Sequence, residues 1–214
     1  LLSLKQRARK RVSDIPLARY LIGGVPCPYV NSRASAIELL SGASAREYWL
    51  SSMATSGSNA EEPGRAAWRL IEPFLDAVEI HDGPARFLND LAPLPTAAQH
   101  LFAIRWCDHE ICNGGLHQFF SNSTGVLAPE AVAGYCAVGL LDCANLVQAA
   151  VDQFRPSYPR ERSERQKILQ TLRRPGKTRD EWDPFGDLDR QYYAAKDRAD
   201  FESVLDRFAA QNAR

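Results

Sequence analysis

A chain of 214 residues has room for one good core, or for one domain with an appendage. Hydrophobic residues at 45% and charged residues at 24% are ordinary for a globular protein. Acids and bases balance at 26 each, which excludes a global field that would recommend nucleic acid, a membrane surface or an acidic ligand.

The balance is uneven along the chain. Residues 1–60 hold 8 Lys/Arg against 3 Asp/Glu, and the remainder holds 18 against 23, so a basic arm leads into a mildly acidic domain. Within that arm, Lys5, Arg7, Arg9, Lys10 and Arg11 read first as a solvated tail. A nucleic-acid-contacting arm is the alternative, because such clusters neutralise phosphates, although no aromatic residue interleaves to stack on bases. Ile15 to Tyr29 is a short apolar segment broken by Gly23-Gly24 and by Pro26-Cys27-Pro28. Ser35 to Met53 reads as a helix, and Thr55 to Gly64, rich in Ser, Gly, Asn and Glu, as a linker. The expected division is therefore an extension and linker over 1–64 and a helical domain over 65–214.

Helical signals dominate beyond the linker. Trp68, Ile71, Phe74, Leu75 and Val78 form an apolar stripe that Pro73 must start, kink or interrupt. A brief helix is predicted over Ala85 to Leu91. Thr96 with Gln99 has the spacing of a capping box, ahead of Leu101, Ile104, Cys107 and Ile111. Pro129 precedes a long predicted helix through Val132, Cys136, Gly139, Cys143, Val147, Ala150 and Phe154. Its polar members Glu130, Asp142, Asn145 and Gln148 would be costly in lipid, which makes it a core helix rather than a membrane span. Arg160 to Leu172 reads as a charged surface helix closed by Arg173-Arg174-Pro175-Gly176. A final pair covers Phe185 to Ala195 and Phe201 to Gln211, with Asp200 at an N-cap position. The fold class expected is all-α, a single domain of about seven helices.

Five cysteines, Cys27, Cys107, Cys112, Cys136 and Cys143, are odd in number and lie mostly in apolar helical patterns. That usage favours buried thiols in a reducing compartment over a disulfide framework, and with no signal peptide in view the expected location is cytoplasmic.

The densest stretch runs from Glu110 to Gly125. Gly114 and Gly115 in a helical context cost roughly 1 kcal/mol each relative to alanine, so something must compensate. Either the backbone turns here, with Asn113 or Gly114 left-handed, or a second helix packs against the bare backbone. Phe119 and Phe120 add large apolar surfaces, and Asn122 with Gly125 resembles a helix stop and turn. The favoured reading is a helix–corner–helix element in which Glu110, Asn113 and Gln118 bond exposed backbone groups. A ligand pocket or enzyme site built from Glu110, Asn113, His117 and Gln118 is the alternative. His100, Cys107, Asp108, His109, Glu110, Cys112 and His117 crowd together and are all of metal-ligating type. No HExxH, CxxC or ExxH pair is present, and neither a metal nor a cofactor is expected.

The string E-x-x-N-G-G-x-x-Q-F-F-x-N-x-x-G, on Glu110, Asn113, Gly114, Gly115, Gln118, Phe119, Phe120, Asn122 and Gly125, resembles the signature of a family of uncharacterised bacterial domains. That family's named representative is a DNA-mimic protein. Pro184-Phe185-Gly186-Asp187-Leu188-Asp189 followed by Tyr192-Tyr193 is similar to its C-terminal portion, so the resemblance covers about residues 68–212. What the resemblance implies is an all-helical fold and a partner that is itself a DNA-binding protein, met by carboxylates standing where phosphates would be. Duplex DNA presents about one charge per 1.7 Å of axis, which makes a dense run of acids the requirement. Asp180, Glu181, Asp183, Asp187 and Asp189 are the best candidates, extended by Asp197, Asp200, Glu202 and Asp206 and interrupted by Arg190, Lys196, Arg198 and Arg207. A solvated helical face is the competing reading of those acids. The expected function is thus non-enzymatic interaction with another protein, not with a membrane.

Overall fold

In the computed structural model the described residues are 21–22, 25–26, 63–172 and 175–213. The basic arm, the helix expected over 35–53 and Arg173-Arg174 lie outside them. The chain divides into two compact units, 1–52 and 53–214. In the first, Leu21–Ile22 pairs antiparallel with Val25–Pro26, and strand structure among the described residues is confined to this pair.

The second unit is all-α. Helix α1, Arg65–Ile71, buries Ala67, Trp68 and Ile71 on one face and gives way to a 3₁₀ turn at Pro73. Its N-terminus lacks a local side-chain cap. The orphan amides are taken instead by a distant carboxylate: Gly64 N–H donates to Asp206 Oδ2 at 2.6 Å and Ala67 N–H to Oδ1 at 2.9 Å. Helix α2, Pro84–Leu91, starts on a proline, where a missing N–H costs nothing, and buries Phe87 and Leu91.

Helix α3, Thr96–Ser121, is the spine, carrying Leu101, Phe102, Ile104, Cys107 and Ile111 into the core. The capping box expected at its start does not form. Pro95 occupies the cap position, and Gln99 Nε2 donates to the carbonyl of Leu94 at 2.8 Å, tying down the preceding turn instead of an amide. The single helix expected beyond Pro129 is two: α4, Ala128–Val138, and α5, Leu141–Val151. Gly139, at φ 84°, ends the first in a left-handed C-cap that the apolar periodicity concealed. Gly134 lets α4 cross α3 closely, since a Cβ there would lie 2.8 Å from the His100 carbonyl.

Helices α6, Arg162–Thr171, α7, Arg179–Trp182, α8, Gly186–Arg198, and α9, Phe201–Asn212, complete the unit. Asp200 does stand at the N-cap of α9, but in a left-handed conformation and without a side-chain cap bond. The spine α3 packs against α1, α4, α6, α8 and α9, while α4 and α8 both pack on α5. Phe120 nucleates an aromatic cluster, with ring centroids 4.9 Å from Phe154 and 5.3 Å from Phe185. Of the thiols in this unit, Cys107, Cys112 and Cys143 are buried and Cys136 is exposed.

Candidate functional site

The spine breaks at the double glycine. Gly114 is extended at φ −167°, and Gly115 takes φ 76°, ψ 178°, a combination open essentially to glycine alone. The left-handed residue is therefore Gly115, not Asn113 or Gly114. Breaking the helix frees the amide of Leu116, which donates to Asp189 Oδ1 at 2.8 Å across from α8. A Cβ on Gly115 would sit 2.3 Å from Asp189 Oδ2. The glycine is required because a carboxylate occupies the space beside it.

Asp189 thus leaves the acidic surface on which it was expected. It is 9% exposed and latches the corner.

Glu110, one turn before the break, is the second anchor. Its Oε2 accepts from Gln118 Nε2 at 2.8 Å and Asn122 Nδ2 at 2.9 Å, and its Oε1 accepts from Thr124 Oγ1 at 2.8 Å. Burial raises its pKa, and the three donors, Gln118 first, pull in the opposite direction. The expectation that Glu110, Asn113 and Gln118 bond exposed backbone groups is corrected on this point. Glu110 and Gln118 bond each other across the corner, and Asn113 Nδ2 lies 2.8 Å from His109 Nε2. Burial pushes His109 down to about 4, so its ring is neutral near pH 7.

The exit from the corner is held by α6. Arg165, fully buried, donates from Nε to the Phe120 carbonyl at 2.8 Å, from Nη2 to that of Asn122 at 2.8 Å, and from Nη1 to the carbonyls of Arg160 and Pro159. Gly125 fits beneath this guanidinium, with its own carbonyl accepting from Tyr158 Oη at 2.6 Å. Phe119 and Phe120 are wholly buried. On the other side of the spine, Asp108 accepts from Lys196 Nζ at 2.6 Å and Tyr192 Oη at 3.0 Å, and the hydroxyls of Tyr192 and Tyr135 lie 2.7 Å apart.

The crowded His/Cys/Asp/Glu set of α3 is dispersed by this geometry. Among the described residues no group of three such side chains could hold a metal ion. Burial pushes the Cys143 thiol up to about 12 and that of Cys107 well above its usual value, which keeps both protonated. The His117 ring stands edge-on to Trp182 at 5.4 Å. No helix among the described residues is long and apolar enough to cross a membrane.

The other expected acids serve local structure to different degrees. Asp183 Oδ1 accepts the Phe185 amide at 3.0 Å at the start of α8, Glu181 is exposed and bonded by Lys177 and Thr178, and Asp187 is exposed beside Arg190. The side chain of Asp180 falls outside the described residues.

These parts define an all-α domain organised on a glycine-broken central helix, with its most polar motif closed by internal hydrogen bonds. The chain belongs to the DMP19-like protein family, whose model matches residues 92–212. The family fits a protein-interaction role of the DNA-mimic kind in general. Comparison with curated proteins and with solved structures gives no match.

Asp189 is expected from the sequence as a surface acid and not as the latch of the corner, and Arg165 is not singled out by the sequence at all. Asp189 carried a usable signal, because it shares the helical i, i+3, i+4 face with Phe185 and Tyr192, both wholly buried. Arg165 carried less: among the flanking charges Glu161, Arg162, Glu164 and Lys167 nothing singles out the one that turns inward.

Proposed function

We propose that this chain is a non-enzymatic regulator that binds a DNA-binding protein and covers its nucleic-acid surface. The observation that carries the reading is the family match over residues 92–212, within which the signature motif is consumed by the fold. Glu110, the one strongly polar group at the corner with a raised pKa, already accepts three hydrogen bonds and is 7% exposed. Three of its roughly four acceptor positions are taken by the fold, and its burial keeps a substrate away, which favours interaction over catalysis at this place.

The acids that remain on the surface near α7 and α8 supply the matching chemistry. Glu181, Asp187, Asp197 and Asp200 are exposed. They would meet the Lys and Arg side chains that otherwise contact phosphates. Asp189 has no part in this surface.

The test is capture from a nuclease-treated bacterial lysate with the full chain as bait. The reading expects a DNA-binding protein to be retained and to be lost when Glu181, Asp187 and Asp197 become Gln, Asn and Asn. Asp189→Asn is deliberately left out, since it would disturb the fold. Capture that survives the triple substitution would overturn the carboxylate surface.

A further inference from the structure

The geometry points to a binding site for a small phosphate monoester in the cavity between the loop ahead of α2 and the first turn of α6. This cavity of about 300 Å³ has Ile80 and Pro84 on one wall and Arg162, Arg165, Ser123 and Ser163 on the other. That volume lies at the lower end for small-molecule sites and suits a phosphate with a compact organic body.

Charge is the first argument. Arg165 is fully buried, yet every hydrogen bond it donates goes to a neutral backbone carbonyl, and no carboxylate lies within ion-pair distance of it among the described residues. Burying a cation without a counter-charge is unfavourable, and here the loss of hydration is the largest influence on the group. Arg160, beside it, shows the contrast: its guanidinium is held by both oxygens of Glu130 at 2.8 Å. Arg162 donates one bond, from Nε to the Ser121 carbonyl at 2.9 Å, and feels the Glu110 carboxylate only at longer range, without a direct ion pair. Glu161 is the one acid on the cavity wall. Glu161 and Glu110 offset this charge only from beyond ion-pair distance, so an anion bound here would complete the compensation.

The second argument is independent of the cavity. Residues 155–179 hold nine Lys/Arg against two Asp/Glu in a chain whose total charge is balanced. Positive charge is therefore concentrated in this stretch of the sequence, which favours approach of an anion. Hydrogen-bonding capacity is also in place. Ser123 and Ser163 line the same space, and α6 begins without a side-chain cap, so its first amides add donors. Phosphate, with three acceptor oxygens, matches this set of hydroxyls, amides and a forked guanidinium. The direct contacts fall to Arg162, Ser163 and Ser123. Arg165 contributes its field and holds the wall.

The experiment is calorimetric titration of the full chain at fixed ionic strength with adenosine monophosphate, adenosine and inorganic phosphate in turn. We expect the monophosphate to bind at least ten-fold more tightly than adenosine, and Arg162→Glu to weaken it at least ten-fold. Lys167→Glu makes the same charge change on the exposed side of α6, away from the cavity, and should leave binding within two-fold. Arg162 is exposed, so its variant, which gives up one hydrogen bond to the Ser121 carbonyl, should stay folded and lower the melting temperature by only a few degrees. Equal binding of adenosine and the monophosphate would overturn the phosphate seat. Equal losses in the two charge variants would overturn the cavity in favour of bulk attraction. Binding of a 5′-phosphorylated oligonucleotide, with none of the monophosphate, would overturn the small-molecule assignment.

Discussion

Gly115→Ala tests the corner most sharply. At φ 76°, ψ 178° an L side chain is strained by about 1–3 kcal/mol. The added Cβ would also stand 2.3 Å from Asp189 Oδ2, and the contact is not relieved by swinging a free end aside. That carboxylate is buried and already bonded to the Leu116 amide at 2.8 Å. Moving it weakens a charge-assisted bond worth on the order of 1.5–3 kcal/mol. Together the two effects give about 3–5 kcal/mol, a large share of the stability of an ordinary domain. For a unit of this size each kcal/mol moves the melting temperature by about 2–4 °C, so thermal unfolding should shift down by roughly 6–20 °C. Gly114→Ala is the internal control. Its extended φ of −167° is open to any residue, and the new Cβ meets the Gln118 side chain, whose Oε1 end can move at the cost of the Glu110 contact. A smaller loss, about 1–2 kcal/mol, is expected there. If Gly115→Ala melts within about 2 °C of the parent, the claim that Asp189 and a glycine-only backbone define the corner is refuted.

Other consequences follow from the same contacts. Glu110 has a raised pKa in the fold, so between its unfolded and folded values the native state holds the extra proton and stability declines as pH rises through that window. Glu110→Gln should flatten that slope in urea denaturation across the mildly acidic range, whereas Glu110→Ala, which strands three donors, should lose about 2–4 kcal/mol at neutral pH. Arg165→Met removes donors to the carbonyls of Phe120 and Asn122 and should lower stability by about 3 kcal/mol or more by chemical denaturation. Asp206→Ala uncaps α1 from a distance and should cost about 1–2 kcal/mol, with faster amide exchange confined to the first turn of that helix.

The helices were legible where apolar periodicity met a strong stop signal. The brief helix expected over Ala85 to Leu91 is α2, which begins one residue earlier at Pro84, and Pro73 did interrupt the first helix. Periodicity misled at Gly139, because Cys136 and Cys143 sit seven residues apart and keep an apolar stripe in phase across a real break. At the corner, composition located the turn, yet not the residue that makes it. The choice of Gly115 depends on Asp189, seventy-four positions away, and no local rule sees that contact. The capping box failed for a similar reason. Pro95 took the cap position and the Gln99 side chain found the carbonyl of Leu94. Read along α7 and α8, the five acids looked like one surface. Folding separates them, since Asp189 faces inward while Asp187, two residues earlier, faces solvent.

The central claim is that this chain occupies the DNA-binding surface of another protein. The direct measurement titrates the chain into a preformed complex of the captured protein and fluorescently labelled duplex DNA, followed by anisotropy. The account predicts release of the duplex in stoichiometric fashion, with affinity for the partner falling steeply as salt rises. A stable ternary complex, with the duplex still bound at saturating chain, would contradict it.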